Sequence, residues 1–416
     1  MRGWRMLAVL LVLLLTAGTS FAAGFRLPQA GVKAMGMGFA FTAQADDPSA
    51  IYFNPAGLTQ LEGNNLMLGV TFVQENGAEF TGSTPLTGGA TVSETQKDLN
   101  FYIPNAYFTH TNKSSGIAFG VGIFAPFGLG QEYQNPNTSI FRNQVTKIDL
   151  QTIVINPTFA FDINEAISVG FGIDYMWGMV EQDKTPVLPP ALGGGTFKTH
   201  LEGDGDAWGY NFGILVKATK NLKIGFNYRS KFDLDIKDAD FTASNPVGTI
   251  PALFPMGNTK AYGTLGIPAT AAFGVAYTYG RLTVEADADW TFWSSYKELK
   301  ITNTTVPTYS SNQTKNWEDV CAFRFGAEYR VTDPVALRAG FVYDPTPAPA
   351  DTLGPDLPDA TRLNYMLGAG FKVGKVTIDV AGQYIDRKDR TVSNSNMNGT
   401  WTGNAWLAGM DIGYKF

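Results

Sequence analysis

Two imidazoles and one thiol are all this 416-residue chain offers for nucleophilic, redox or soft-metal chemistry: His110, His200 and Cys321. A Ser–His nucleophile pair requires a histidine. His110 stands next to a predicted turn at Asn112. His200 falls in a predicted long loop, 183–204, beside Glu202, Asp204 and Asp206. That acidic stretch carries oxygen donors suited to calcium, and a solvated loop is the simpler account of it. Two histidines and one cysteine do not make a zinc or haem site. Cys321 has no internal disulfide partner and is expected buried or lipid-facing. No enzyme, metal or cofactor is therefore expected. What remains is the chemistry of apolar surfaces, and the question becomes which elements place them.

Those elements alternate with a period of two, the signature of β-strands with two differently solvated faces. At the carboxy-terminus Trp406, Ala408, Met410, Ile412, Tyr414 and Phe416 form one row, opposite a row that carries Asp411 and Lys415. The same pattern recurs at Leu282–Phe292, Cys321–Tyr329, Val335–Tyr343, Leu363–Phe371, Val376–Tyr384 and Leu222–Tyr228, always with the charges in one row. Strand centres fall near Val70, Asn105, Gly120, Ile155, Gly172, Phe212, Phe226, Phe273, Ala286, Phe325, Ala339, Leu367, Val380 and Met410. Short connections (Asn112–Ser114, Asp162–Asn164, Thr219–Asn221, Gly280-Arg281, Thr332–Pro334, Gly374-Lys375) alternate with long ones near 81–98, 127–144, 183–204, 237–263, 302–316, 345–359 and 389–403. Several strands run past about ten residues, enough for a tilted bilayer crossing. The expectation is an all-β fold: an antiparallel transmembrane β-barrel of about fourteen strands over 64–416, apolar rows to lipid and charged rows to the lumen. Inside, Glu285, Asp287, Asp289 and Glu328 are expected to pair with Arg324, Arg330, Arg338 and Arg362.

The composition agrees. Hydrophobic residues make up 44%, aromatics 13%, and there are 46 glycines, which fits strands with aromatic belts and does not fit disorder. Residues 1–22 read as a secretory signal: Arg2 and Arg5, an apolar run Leu7–Leu15, then small residues Ser20 and Ala22 before the cleavage point. Without those two arginines the chain has 31 − 2 = 29 basic against 37 acidic residues, a net charge of −8, which argues against nucleic acid as a partner.

Residues 23–63 do not alternate. They hold a small-residue stretch, Gly31–Gly38, the run Ala45-Asp46-Asp47-Pro48, and a turn signal at Asn54-Pro55. Asp46 or Asp47 is placed to cap a short helical turn starting at Pro48. The segment is too apolar for a free tail and too short for a domain, so it is expected inside the barrel as a hatch, although composition alone leaves a periplasmic leader open.

Ala23-Gly24-Phe25, Ala45-Asp46-Asp47 and Asn54-Pro55-Ala56 resemble the start of the FadL family of outer-membrane long-chain fatty acid transporters, which includes transporters of aromatic hydrocarbons. The resemblance continues through Ala125-Pro126-Phe127-Gly128, Ala207–Asn211, Tyr228-Arg229-Ser230, Trp293-Ser294, Leu299-Lys300, Phe341–Pro347 and Leu357-Pro358-Asp359. It implies a monomer in the outer membrane of a Gram-negative bacterium, in contact with lipid and lipopolysaccharide. It further implies a hatch carrying Asn54, Pro55 and Ala56, and passive uptake that ends in sideways exit through a gap at a kink in the third strand. Gly120 and Gly122, which weaken a ladder, and Pro126, which lacks a donor, are the candidates for that gap. Phe127, Leu129, Phe141, Trp177, Met179, Leu253 and Phe254 are the candidates for a ligand groove, because apolar loop residues pack together or bind a ligand. The basic residue the resemblance places near the end of the fifth strand is missing from Trp177-Gly178-Met179-Val180-Glu181, which leaves Lys300 as a possible carboxylate partner and leaves room for a neutral hydrocarbon. A general porin is the rival reading, and the apolar leader argues against it.

Overall fold

The computed structural model describes residues 24–416; the expected signal peptide, 1–22, lies outside the described residues. The described chain forms a closed antiparallel barrel of 14 staves. They are Gly63–Ser83, Leu99–Asn112, Ile117–Phe124 continued by Gly128–Glu132, Lys147–Asp162, Ile167–Lys184, Thr196–Lys217, and Leu222–Arg229 continued by Phe232–Val247. There follow Gly257–Ile267 continued by Thr270–Tyr279, Leu282–Thr291 continued by Glu298–Asn303, Val320–Thr332, Val335–Asp344, Arg362–Val373, Val376–Arg387 and Asn398–Lys415. First and last staves pair from Asn65↔Lys415 to Ser83↔Asn398, so the main ring has no free edge.

The period-two rows decide which way each side chain faces. In the twelfth stave Leu367 is 70% exposed while its neighbour Met366 is 3% exposed. Trp406, Met410, Ile412 and Tyr414 point out, and Leu407 and Asp411 point in. A belt of outward Phe, Tyr, Trp, Leu and Ile runs round the whole barrel. Soluble monomers keep contiguous apolar patches to a few hundred Å², so hydrocarbon is the medium this surface matches. No helix among the described residues is long and apolar enough to cross a membrane.

Strands five to eight run further than their sequence pattern indicates. The connection expected at 183–204 shortens to 185–195, and that at 237–263 shortens to 248–256. His200, Glu202, Asp204 and Asp206 therefore belong to the sixth stave and not to a loop. His200 Nδ1 lies 2.7 Å from Asp183 Oδ1 across the ladder, and Lys147 Nζ lies 2.6 Å from Glu181. Opposed charges on neighbouring strands support pairing; the polar composition that reads as loop is a charged strand extension.

Residues 24–62 fill the lumen. They form two short helices, Val32–Gly36 and Ala50–Phe53, and a 3-10 turn, Pro55–Gln60. Asp47 Oδ1 accepts from Ser49 N at 2.8 Å in the turn that leads into the second helix, whose N-cap is Ser49 with no side-chain cap, so neither Asp46 nor Asp47 caps it. The barrel holds this segment by its backbone. Asp287 accepts from Phe41 N and Thr42 N at 3.0 and 3.1 Å, and Glu285 from Ala43 N and Gln44 N at 2.6 and 2.9 Å. Asp411 accepts from Val32 N at 2.5 Å. The expected ion pairs form in part: Arg324 meets Asp289 at 2.5 Å and Arg338 meets Glu328 at 2.7 Å. Glu285 and Asp287 instead serve the segment's N–H groups, Arg362 pairs with Asp359, and Arg330 reaches Glu328 only at 3.8 Å. Sequence rows place charges in the lumen but cannot show that a second chain segment competes for them.

Lumenal glycines make room for the segment. A Cβ on Gly213 would lie 2.2 Å from Asn54 Oδ1, and one on Gly170 2.4 Å from the Pro55 backbone. Gly382, by contrast, has only the Leu407 oxygen at 3.9 Å. Gly213→Val is expected to cost about 1–3 kcal/mol by overpacking, and Gly382→Ala to be near neutral. Thermal unfolding of the two variants, followed by the heat-dependent gel shift of the barrel, checks the contrast.

Candidate functional site

The third stave breaks. Ile117–Phe124 pairs with the second stave on one side and the fourth on the other, so the ladder is intact through Gly120 and Gly122. Those two glycines face inward, where a Cβ would lie 3.0 and 2.8 Å from the Ile51 side chain. They seat the amino-terminal segment and are not the break. The interruption comes at Ala125-Pro126-Phe127, after which Gly128–Glu132 pairs only with the fourth stave.

Residues Phe124 to Gln131 are all buried, without alternation, because the strand has bent into the lumen. The second stave keeps its place in the wall. Its residues Leu99–Pro104 pair with the first stave alone. A gap in the wall results, bounded by Asn105↔Phe124 below and by the Gln96↔Tyr133 bridge above. Pro104 at its lower edge brings no N–H, as Pro126 does not opposite, which lowers the number of donors the gap leaves unpaired.

The amino-terminal segment supplies the partners the bent strand has lost. Leu27 N donates to the Pro126 carbonyl at 2.7 Å, and Gly128 N donates to the Phe25 carbonyl at 2.8 Å. Thr152 Oγ1 donates to the Phe127 carbonyl at 2.6 Å. Phe25 then sits in a cage of rings, with Trp293, Tyr296, Trp317 and Phe127 at centroid distances of 4.7, 5.5, 5.9 and 6.0 Å. Just below, Tyr52 stacks edge-on to Phe124 at 5.1 Å, under the Arg229 guanidinium, which is tied to Asp174 at 2.5 Å.

Asn54 is the anchor of the segment. Its Nδ2 donates to the Thr42 carbonyl at 2.7 Å and to the Ile214 carbonyl of the sixth stave at 3.0 Å, and its Oδ1 accepts from Ala56 N at 3.2 Å. Pro55 opens the 3-10 turn that follows. Asn54, Pro55 and Ala56 are thus one fixed corner against Gly170 and Gly213. Burial pushes the Asp47 carboxyl up to about 6. At Asp46 burial acts in the same direction, but Lys33, 2.7 Å away, overrides it and holds that carboxyl below its usual range.

Phe25 also lines an inner cavity of the barrel. Leu129, Ile148, Leu150, Val180, Leu201, Ile236, Leu265, Leu299, Leu353 and Leu357 line it, with Gln182, Lys315 and Asp356 as its polar groups. A second hollow of about 200 Å³ lies toward the outer loops, lined by Leu188, Phe197, Phe241, Phe254, Tyr309 and Lys184. The two share Gln182, Leu201 and Ile301, so they are neighbours on either side of these residues, and Phe25 lines the inner one beside the broken stave.

Of the residues proposed for a groove, Leu129 lines the inner cavity, Phe254 the outer hollow, and Phe127 the cage beside the gap. Four lie elsewhere. Phe141 is the core of a loop cluster with Phe80 and Trp401. Trp177 and Met179 are on the outward row of the fifth stave, where Trp177 Nε1 bonds Asp204. Leu253 is exposed at a loop tip. Strand parity is the reason for the fifth-stave pair: it sends Val180, Gln182 and Lys184 inward and their neighbours out. Lys300 contributes its backbone to the cavity wall and is exposed as a residue.

The fifth strand does carry a lysine at its end, Lys184. The strand extends three residues beyond Glu181, and the inward row carries this lysine to the outer hollow. Its ammonium makes no hydrogen bond or ion pair with any described residue; the charges it feels are those of Asp356 and Lys315. The signal in the sequence was the alternation itself, carried past the point where composition turns polar.

A stoppered barrel with a side gap and an internal apolar cavity is the architecture of an outer-membrane transport protein. The family described as outer membrane protein transport protein (OMPP1/FadL/TodX) matches residues 13–416, and the chain belongs to that family. It is 24% identical to a long-chain fatty acid transport protein of Salmonella typhi over 95% of both chains. Its fold is similar to that of a Pseudomonas aeruginosa FadL homologue, with TM-score 0.82, 20% identity, and 95% and 100% of the two chains covered. It is also similar to the Ralstonia pickettii toluene transporter TbuX, with TM-score 0.70, 20% identity and 95% and 99% coverage. The chain is an outer-membrane β-barrel protein of a Gram-negative bacterium that serves transport.

Proposed function

We propose that this chain, acting as a monomer among outer-membrane lipids and lipopolysaccharide, passively takes up long-chain fatty acids or similar elongated apolar molecules. Residues 24–62 are the hatch. Ligand enters the outer hollow, moves to the inner cavity and leaves sideways at Pro126, after Phe25–Leu27 let go of the bent strand. What supports this reading is the placement of two neighbouring, mostly apolar hollows, the inner one lined by Phe25, beside the break in the third stave. No covalent step is involved: His110 and His200 both lie away from the route, the first on Asn64 and the second on the outward face with Asp183.

The unpaired Lys184 beside an apolar hollow favours a ligand with a carboxylate head. Lys184→Gln is expected to weaken binding of a long-chain fatty acid about tenfold, the scale of one charge-assisted hydrogen bond, and to leave the corresponding alcohol unchanged. Equilibrium binding to the purified protein measures both. A second reading, a channel for neutral aromatic hydrocarbons, is favoured by the mostly apolar lining of the inner cavity, whose buried Lys315 is already paired with Asp356. Mass-spectrometric identification of the molecules that copurify with the protein decides between them; recovery of hydrophilic solutes alone would sink both.

A further inference from the structure

The inner cavity holds one ion pair in otherwise apolar surroundings. Lys315, from the loop after the ninth stave, and Asp356, from the loop after the eleventh, meet at 2.5 Å with both side chains almost wholly buried. Both face the cavity. Such a pair is seldom there for stability, since packed apolar residues in its place are often neutral or better. The chain is nevertheless shaped to present the carboxylate. The Asp356 carboxylate folds back over Gly354, where a Cβ would lie 2.1 Å from its Oδ1. Next to it, the Pro355 carbonyl is held by the Tyr133 hydroxyl at 2.9 Å and by the Gln131 amide. Residues 354–356 form a fixed arm that lays a carboxylate on the Lys315 ammonium.

We propose that Asp356 is an internal stand-in for a ligand carboxylate, and that it sets the cavity's ranking of neutral against anionic ligands by competing for Lys315. A neutral molecule fills the cavity with the pair intact. An anionic head, first held at Lys184, must displace Asp356 before it reaches Lys315. This rests on the reading that the cavity receives apolar ligands, and the test separates the two.

Oleate and oleyl alcohol, which differ in the head alone, are titrated into the purified full-length mature protein and its Asp356→Asn variant. The variant is expected to bind oleate about tenfold or more tightly than the wild type, because Lys315 is left buried and unpaired. The alcohol should change by less than about twofold. Equal shifts for both ligands, or weaker oleate binding, would show a structural strut and overturn the proposal. A second variant, Lys315→Met with Asp356→Leu, removes both charges at similar volume. It should keep the alcohol affinity and show no gain for oleate; a gain matching that of Asp356→Asn would also overturn it. If the wild type binds neither ligand, the transport reading fails, and the proposal with it.

Discussion

A disulfide between positions 26 and 127 is expected to cut uptake about tenfold or more, reversibly. Arg26 and Phe127 face each other in an isolated antiparallel bridge. Residues so paired have Cα atoms about 4.5–5.5 Å apart, inside the range a disulfide spans. With Cys321→Ala as background, Arg26→Cys/Phe127→Cys would, on oxidation, fasten the hatch to the bent strand. If Phe25–Leu27 must release Pro126–Gly128 for ligand to leave, the locked form cannot transport. Reduction should restore uptake to the level of the reduced double variant, which already accounts for the lost Arg26–Asp289 pair. Uptake that survives complete cross-linking would place the exit elsewhere.

Deletion of residues 24–61 should turn the barrel into an open pore. The strand ladders close without this segment, so the barrel should persist while its lumen fills with water. Glu285, Asp287 and Asp411 would exchange backbone N–H partners for water. Ionic conductance in a planar bilayer is expected to rise by about tenfold or more over the intact protein, which a stoppered lumen keeps low. Equal conductance of the two forms would mean that the segment does not block the path, and would revive the porin reading.

The two results, if obtained, would together locate the function in the meeting of the amino-terminal segment and the third stave. The ladder is intact at Gly120 and Gly122, and it breaks at Ala125-Pro126-Phe127. What keeps that break from being a defect is the short run Phe25–Leu27, which borrows the strand's hydrogen bonds and corks the cavity with one ring.

The sequence alone determined the barrel, its stave count and the direction each row faces. Those properties are local: a period of two, repeated from segment to segment and bounded by turn residues, survives whatever the strands pair with. For residues 24–62 an apolar stretch with no strand period pointed to the lumen but left a periplasmic leader open. Pro126 was legible as a donor missing from a strand. Only the tertiary structure decided the rest. Trp177 and Lys184 sit on one strand, seven residues apart, yet one meets the outside and the other the hollow, because the strand runs on beyond the polar residues at its end. Lys315 and Asp356 lie in different loops, and nothing in either loop names the other. Glu285 and Asp287 looked like partners for arginines and turned out to hold main-chain N–H groups of the hatch. Charges and cavities are shared between segments distant in the chain, and a pattern read along one segment carries no record of what closes upon it.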